Sequence, residues 1–282
     1  MLTCKIISDS SSDLLMLTSG AYACVPLKII TDAKEYVDDA ALNVNEMVED
    51  LLKYKGTSKS SCPNCEDWKK AFEDYDCVFC VTITSNLSGS CNAANLALSE
   101  YLAENPGKRG YVIDTLSAGP EVALIVEKLQ ELVCSDLSFE DVVKQIQSYQ
   151  KKTHLLFTLE SLRNLANNGR VSGAVAKIAG LLGIRVIGKA SAEGTLEVIS
   201  KAKGEKKALA DVFKNMMIYG YHGGRVRIHH CRNLRAAEAI REAIKKEYPH
   251  ASVIISETRG LCSFYAEAGG VLVGYEGKPG KE

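Results

Sequence analysis

The 282-residue sequence predicts an α/β protein of two domains: a mostly parallel sheet with flanking helices in residues 1–152, and an α+β domain in residues 153–282. Three observations lead to this prediction. Short apolar runs alternate with helical stretches over the first 150 residues, which is typical of a parallel sheet covered by helices. Beyond residue 153, two strand-like runs are joined by a Glu-Gly turn, which favours a hairpin. No low-complexity linker separates the halves, so we expect them to pack tightly.

The first domain is built from apolar runs of strand length and from helical stretches between them. Pro63 suits a first helical turn because its missing N–H is not needed there, and Ser138 with Asp141 forms a near capping box. Residues 32–39 and 55–63 are polar and are predicted as turn and loop. We expect strands at residues 3–8, 23–30, 77–83 and 110–113, and helices at 14–17, 44–54, 63–72, from 93, at 120–134 and at 138–150.

The second domain begins where this alternation changes. Its hairpin is centred on Glu193-Gly194, and its last segment, from residue 260, is predicted as a turn followed by a strand. We expect strands at residues 153–157, 184–189, 195–200, 225–230, 252–256 and 270–274, and helices at 159–165, 175–182, 204–219 and 234–246.

Composition and charge exclude several functional classes. The formal net charge of −1 provides no global field that would recruit nucleic acid. The first residues have no signal-peptide layout, and the most apolar stretch, residues 173–188, is broken by Lys177 and Arg185, so we expect no segment that spans a membrane. Ten cysteines in a chain that is not exported predict reduced thiols and a cytoplasmic location.

Two Cys-x-x-Cys pairs have the outline of a zinc site. Cys77 and Cys80, however, lie in a predicted strand, where residues three apart face opposite ways and cannot hold one ion. We therefore predict that both are small core residues and that the protein has no metal site. Cys62 and Cys65, near a helix start, leave a redox pair open as an alternative.

Four predicted turns carry clustered Ser or Thr residues, at 10–12, 57–61, 84–90 and 115–117. In a parallel sheet, the turns that follow the strands gather at one edge, where ligands bind. Hydroxyls and free amides at a helix start can bind a phosphate or a carboxylate. The alternative is that Ser85 or Ser88 only caps the following helix.

Six segments match, in order and at fitting spacings, the motifs of one known family. Residues 6–10 match an opening strand with an Asp-Ser turn, and residues 60–64 stand where that family has Thr-Ser-Gln-Pro-Ser. Residues 85–90 match Ser-x-Leu-Ser-Gly-Thr, and residues 114–115 match a second Asp-Ser turn. Residues 159–165 and 169–172 resemble its Leu-x-x-Leu and Gly-Gly-Arg-Ile-Ser segments. On these motifs, nearly the whole chain resembles the DegV family of bacterial fatty-acid-binding proteins.

The resemblance implies a two-domain carrier that holds a long-chain fatty acid, with the carboxylate between the domains and the tail in an apolar tunnel of the second domain. It implies a binding protein rather than an enzyme, with no cofactor besides this ligand. The net charge and the lack of a membrane-spanning stretch, noted above, predict no nucleic acid partner and no stable membrane insertion. In some family members the bound acid is presented to a fatty acid kinase, so a kinase subunit is the partner that the resemblance implies.

The resemblance also implies which residues bind the carboxylate. Two of the family's head-group ligands map to Ser60 and Ser88. The third is a His in a His-x-Gly-Pro-Gly motif, and the best ungapped match places Tyr265 there, whose hydroxyl can donate a hydrogen bond but carries no positive charge near pH 7. Arg170, in a turn after Gly169, is a candidate contact for a phosphate or a partner's acid, the alternative being a solvated surface arginine.

Two other functional classes remain as alternatives. A Ser-dependent hydrolase could use Ser88 or Ser90 at the helix start, but the sequence has no Gly-x-Ser-x-Gly and no motif that marks one of its five His residues as the base. A phosphate-ligand enzyme would need a Gly-x-x-x-x-Gly-Lys loop followed by Ser or Thr, and this full pattern does not occur. His229 and His230 end a predicted strand, and we expect them to be structural rather than ligands.

Overall fold

The computed structural model describes residues 3–72, 75–172 and 183–280. Its first sheet has four parallel strands in the order β2-β1-β6-β7. The predicted parallel sheet of the N-terminal half is thus confirmed. Its strands are β1 (Cys4–Asp9), β2 (Ala21–Val25), β6 (Cys77–Thr82) and β7 (Arg109–Asp114).

The second sheet has six strands from the C-terminal half, in the order β10-β9-β8-β13-β11-β12. The predicted hairpin around Glu193-Gly194 is confirmed, because β9 and β10 pair antiparallel. Only β11 and β12 pair in parallel, and they are joined by a helix. The six strands are β8 (Thr153–Leu159), β9 (Ile184–Ala190), β10 (Leu196–Lys203), β11 (Val226–His230), β12 (Val253–Glu257) and β13 (Val271–Glu276).

A third, small antiparallel sheet was not predicted. It consists of β3 (Lys28–Ile30), β4 (Glu35–Val37) and β5 (Lys59–Ser61), in the order β4-β3-β5. The single strand predicted over residues 23–30 is therefore wrong: it divides at Pro26 into β2 and β3, which belong to different sheets. The turn predicted at 32–39 and the loop predicted at 55–63 each contain one three-residue strand.

Nine α-helices lie within the described ranges. They are α1 (Val44–Lys53), α2 (Cys65–Phe72), α3 (Ser90–Glu104), α4 (Pro120–Val133), α5 (Phe139–Gln150), α6 (Arg163–Asn167), α7 (Glu205–Ile218), α8 (Leu234–Glu247) and α9 (Gly260–Ala266). The predicted N-cap of α5 is confirmed, since Asp141 N–H donates to Ser138 Oγ at 3.1 Å. The helix predicted at 175–182 lies outside the described residues.

Two helix predictions are wrong. No helix forms at residues 14–17, where a 3₁₀ turn (Ser10–Ser12) ends at Asp13 with a φ of 58°, a left-handed conformation that stops helix growth. Conversely, α9 occupies a segment that was predicted as a turn. The described helices include none that is long and apolar enough to cross a lipid bilayer.

Helix α4 lies between the two large sheets. It packs against β1 and β6 on one side and against β8, β11 and β13 on the other, and ten of its fourteen residues are buried. Two glutamates in its C-terminal half also form ion pairs with the second sheet and the residue before β11: Glu127 contacts Arg227 Nε at 2.9 Å, and Glu131 pairs with Arg225. A single helix therefore supplies core to both halves of the molecule.

The cysteines depart from the prediction at one pair. Cys4 and Cys77 stand in register on the neighbouring strands β1 and β6, with Cα atoms 4.6 Å apart, and the structure joins them as a disulfide. The expectation that all ten thiols are reduced is wrong for these two, and the other eight are free. Cys77 and Cys80 are fully buried, which confirms that they are core residues.

Candidate fatty-acid site

A cavity that is apolar along most of its wall lies between the loops at the C-terminal edge of the parallel sheet, the second sheet and α9. It contains about 680 Å³ of atom-free space, part of it open to solvent. Its polar residues are few and include three hydroxyls and one guanidinium. Its lining is Leu27, Ser60, Ile83, Leu87, Ser88, Ala118, Leu155, Phe157, Leu159, Leu165, Arg170, Leu196, Leu261, Cys262, Tyr265, Ala266 and Leu272.

The structure brings together at this cavity all four residues that the sequence analysis singled out. Ser60 lies on β5, Ser88 lies in the loop between β6 and α3, and Tyr265 lies on α9. Arg170 follows α6 and reaches the same cavity. The four come from segments up to 205 residues apart, so only the fold could place them side by side.

Ser60 and Tyr265 form a hydroxyl pair, with Oγ and Oη 2.6 Å apart. One hydroxyl donates to the other, so one proton of the pair remains to be donated elsewhere. Burial raises the pKa of Tyr265, while the hydrogen bond from Ser60 and the charge of Arg170 act in the opposite direction. The phenol is therefore neutral near pH 7 and serves as a hydrogen-bond donor or acceptor.

The Ser88 hydroxyl accepts one hydrogen bond from a nearby backbone amide and has a proton left to donate. Its Oγ accepts the N–H of Ser90 at 3.2 Å, so its own proton remains available. The Oγ of Ser90 in turn donates to Asp9 at 2.6 Å. Asp9 is fully buried at the end of β1 and also accepts the N–H of Ile83 at 3.0 Å, so this carboxylate fixes the loop that carries Ser88.

Burial raises the pKa of Asp9, and the hydrogen bonds it accepts from Ser11, Ser90 and Ile83 counteract that effect. The sequence analysis identified Asp9 only as part of a motif and missed this supporting role. The sequence feature that could have indicated this role is an acidic residue directly after a buried strand, where turn residues meet at the edge of a parallel sheet.

Arg170 is the single cation among the lining residues named above. Its Nε donates to the carbonyl of Leu87 at 3.1 Å, next to Ser88, and Nη1 contacts the carbonyl of Asn168. No carboxylate of the described residues forms an ion pair with it. A planar guanidinium held by backbone carbonyls keeps further N–H groups for an anion.

The histidines lie elsewhere. Among the described residues, no histidine is within hydrogen-bond distance of Ser60, Ser88 or Ser90, and His229 instead pairs with Asp13 at 2.7 Å, where both side chains are buried. The carboxylate of Glu267, close in sequence to Tyr265, accepts from Ser161 Oγ at 2.8 Å and so is directed toward α6. In the part of the chain that the structure describes, the arrangement therefore offers hydrogen-bond donors and one positive charge, but no serine paired with a histidine.

One group outside the cavity has the outline of a metal site. Ligand atoms of Cys65, Glu66 and Glu100 lie within 4.8 Å of one another. The ammonium of Lys69 already pairs with both carboxylates, and Glu100 raises the pKa of the Cys65 thiol, after the larger effect of burial. Burial and the neighbouring Glu100 thus disfavour the thiolate that a metal would require, although the charge of Lys69 acts in the opposite direction.

Nearly the whole chain matches one known protein family. The model of the family described as "Uncharacterised protein, DegV family" matches residues 3–278. The chain belongs to the DegV family. A DegV domain-containing protein of Streptococcus pneumoniae is 45% identical over 279 residues, which cover 98% of this chain and 99% of that protein.

Solved DegV structures have the same fold. The fatty acid kinase (Fak) B3 protein of Streptococcus pneumoniae, loaded with linoleic acid, superimposes with a TM-score of 0.96 at 44% identity, covering 98% of this chain and 99% of that one. A DegV family protein from Eubacterium eligens, loaded with heptadecanoic acid, gives a TM-score of 0.95 at 42% identity, with 98% and 100% covered.

Proposed function

We propose that this DegV protein binds a long-chain fatty acid, with the carboxylate at the hydroxyl-lined end of the cavity and the tail along its apolar wall. The observation that carries the proposal is the amphipathic lining itself: Ser60, Ser88, Tyr265 and Arg170 are joined to a wall of aliphatic and aromatic side chains. The two DegV relatives with bound fatty acids support it.

The four polar residues have different proposed roles. Ser88 donates its free proton to one carboxylate oxygen, and the Ser60–Tyr265 pair donates its remaining proton to the other. Arg170 supplies the positive charge that a neutral Tyr265 cannot. Hydrogen bonds to a charged group are about twice as strong as neutral ones, so these contacts select an acid over an ester or an alcohol.

The tail supplies most of the gross binding energy. Each buried CH₂ contributes about 0.8 kcal/mol, so the fourteen methylenes of a saturated 16-carbon acid give roughly 11 kcal/mol before the costs of ordering and association. The carboxylate contacts then determine orientation and selectivity.

The same proposal covers the wider role. We place the domain boundary between residues 152 and 153, as the sequence analysis does, and assign the protein as a carrier without catalysis of its own. The relative named as a fatty acid kinase B3 protein supports a kinase subunit as its partner. A cytoplasmic location is part of this proposal and rests on the eight free cysteines.

The test is extraction of the purified protein under denaturing conditions, followed by mass spectrometry of the extract. We expect about one long-chain acid per chain, and a higher melting temperature when palmitate or oleate is added to delipidated protein. An extract without stoichiometric acid, together with an unchanged melting temperature, would contradict the proposal. Hydrolysis of a p-nitrophenyl ester that is lost in Ser88→Ala would instead favour the hydrolase.

A further inference from the structure

Helix α9 forms one wall of the cavity, yet its start is held by residues from the opposite end of the chain. Leu261, Cys262, Tyr265 and Ala266 of α9 all line the cavity. The three amides that begin this segment donate to two carboxylates. Arg259 N–H donates to Asp13 at 2.7 Å, Gly260 N–H donates to Asp38 Oδ1 at 2.7 Å, and Leu261 N–H donates to Asp38 Oδ2 at 2.8 Å.

The contact between Asp38 and α9 leaves no space for a side chain at Gly260. A Cβ at Gly260 would lie 2.7 Å from both Cγ and Oδ1 of Asp38, so a glycine is required there for the carboxylate to approach both amides. Asp38 is completely buried, and its own N–H donates to the carbonyl of Leu27, another cavity residue. Its position is therefore fixed from the side of the small sheet.

Charged and titratable groups surround Asp38 on every element packed against it. Asp13 lies beside it and pairs with His229, and the Nε atom of Arg259 is 3.9 Å from Oδ1. The thiols of Cys24 and Cys262 face the same carboxylates, which raise their pKa values in addition to the effect of burial.

Keeping Asp38 ionised lowers the stability of the fold. Burial raises its pKa from 3.8 to about 6, and the amides of Leu261 and Gly260 only partly offset that effect. Since the folded pKa is above the unfolded one, the group's contribution to stability is largest below about pH 4 and falls as the pH rises to about 6. A buried carboxylate retained at this cost points to a role other than stability.

We propose that Asp38, assisted by Asp13, is a positioning residue of the fatty-acid site: its carboxylate holds the first amides of α9 and so places Tyr265 and the α9 wall against the ligand. The inference rests on the proposed function. When Asp38 is protonated, the carboxyl loses its negative charge and one oxygen carries a proton, so the two amides donate to weaker acceptors. The hydrogen bonds that hold the start of α9 therefore weaken below about pH 6, although the folded state as a whole is not destabilised there.

The first test is oleate binding by wild type and Asp38→Asn between pH 5.5 and 8, with Asp32→Asn as the control. Asp32 is exposed and close in sequence, and its variant removes the same charge. We expect Asp38→Asn to bind oleate about tenfold more weakly at pH 8, with no fall in melting temperature. At pH 5.5, where only about a quarter of Asp38 is ionised, the ratio of the oleate dissociation constants of Asp38→Asn and the wild type should fall toward one.

The second test needs no variant. Amide NMR signals of Gly260 and Leu261 and the ring signals of Tyr265 should shift in the wild type with a common midpoint near pH 6. Signals at Gly260 that do not move, or an Asp38→Asn protein that binds oleate like the wild type at every pH, would overturn the inference while leaving the proposed function intact. Wild-type protein that binds no oleate would instead overturn the proposed function, and the NMR titration would still test the contact with α9.

Discussion

Replacing Ser88 by alanine tests how the carboxylate is bound. In the structure, Ser88 Oγ accepts the N–H of Ser90, and its proton remains free to be donated to a carboxylate, which can only accept. Losing one hydrogen bond to a charged group removes about 1.5–3 kcal/mol, which corresponds to a loss of affinity of roughly 10- to 150-fold. Ser88→Ala should therefore weaken oleate binding by that factor.

The substitution also removes an acceptor from the turn, and this effect has to be separated from ligand binding. The lost contact is a neutral one, worth about 0.5–1.5 kcal/mol of folding stability, and it should lower the melting temperature of the ligand-free protein slightly. Ser85→Ala is the matched control, because Ser85 lies in the same turn, is exposed and does not line the cavity.

The assay is displacement of a fluorescent fatty acid by oleate and, in parallel, by oleyl alcohol, which has the same tail and no carboxylate. We expect Ser88→Ala to weaken binding of the acid far more than of the alcohol, and Ser85→Ala to change neither. If Ser88→Ala binds oleate as the wild type does, the Ser-Gly turn only caps α3, and the carboxylate lies elsewhere.

Three further predictions concern single groups. Tyr265→Phe should change the free energy of oleate binding by less than about 1 kcal/mol, because Ser60 can still donate a hydrogen bond. Tyr265→His should bind oleate more tightly as the pH falls through about 6.5, where the imidazole becomes cationic. Titrations with oleate over a pH series measure both effects, and an affinity of the histidine variant that does not change with pH would contradict the second expectation. In urea titrations, the unfolding free energy of Asp38→Asn minus that of the wild type should increase by on the order of 3 kcal/mol between pH 4 and pH 7. The reason is that only the wild type has to bury a charged side chain at this position. A difference that stays constant with pH would refute this expectation. Cys62 and Cys65 should bind no zinc, and elemental analysis that finds one zinc per chain would overturn this expectation.

Three residues of the candidate site could be singled out because motifs of the DegV family map onto their positions, and the fourth, Arg170, because of its local turn. Ser60 and Ser88 lie in hydroxyl-rich turns, and Arg170 follows a glycine turn. Ser88 reaches the cavity as expected, because its loop follows a strand of the parallel sheet and such loops meet at one edge. Ser60 on β5 and Arg170 after α6 lie outside this rule and are brought to the cavity by other parts of the fold. The identity of the apolar wall could not be predicted, because the same leucines would be core residues in any fold.

Helix α9 was missed for a different reason. Helices are recognised in sequence by a capping side chain next to their first turn, but the acceptors for the start of α9 are Asp13 and Asp38, more than 200 residues away. The false helix at 14–17 has the same origin, because Asp13 accepts from Arg259 and His229 instead of capping a local helix. Likewise, strands of three residues such as β3 are defined by partners distant in the chain rather than by their own composition.

The position of α4 between the sheets has a consequence for how the molecule melts and for how its ligand moves. Because both sheets bury apolar surface against this helix, detaching it would expose two cores at once. We therefore expect a single cooperative transition in calorimetry, with equal calorimetric and van't Hoff enthalpies, although the chain has two large sheets. A hinge that swings one sheet away from the other would separate the same surfaces, so we expect an acyl chain to enter the cavity through a smaller, local displacement of the segments around it.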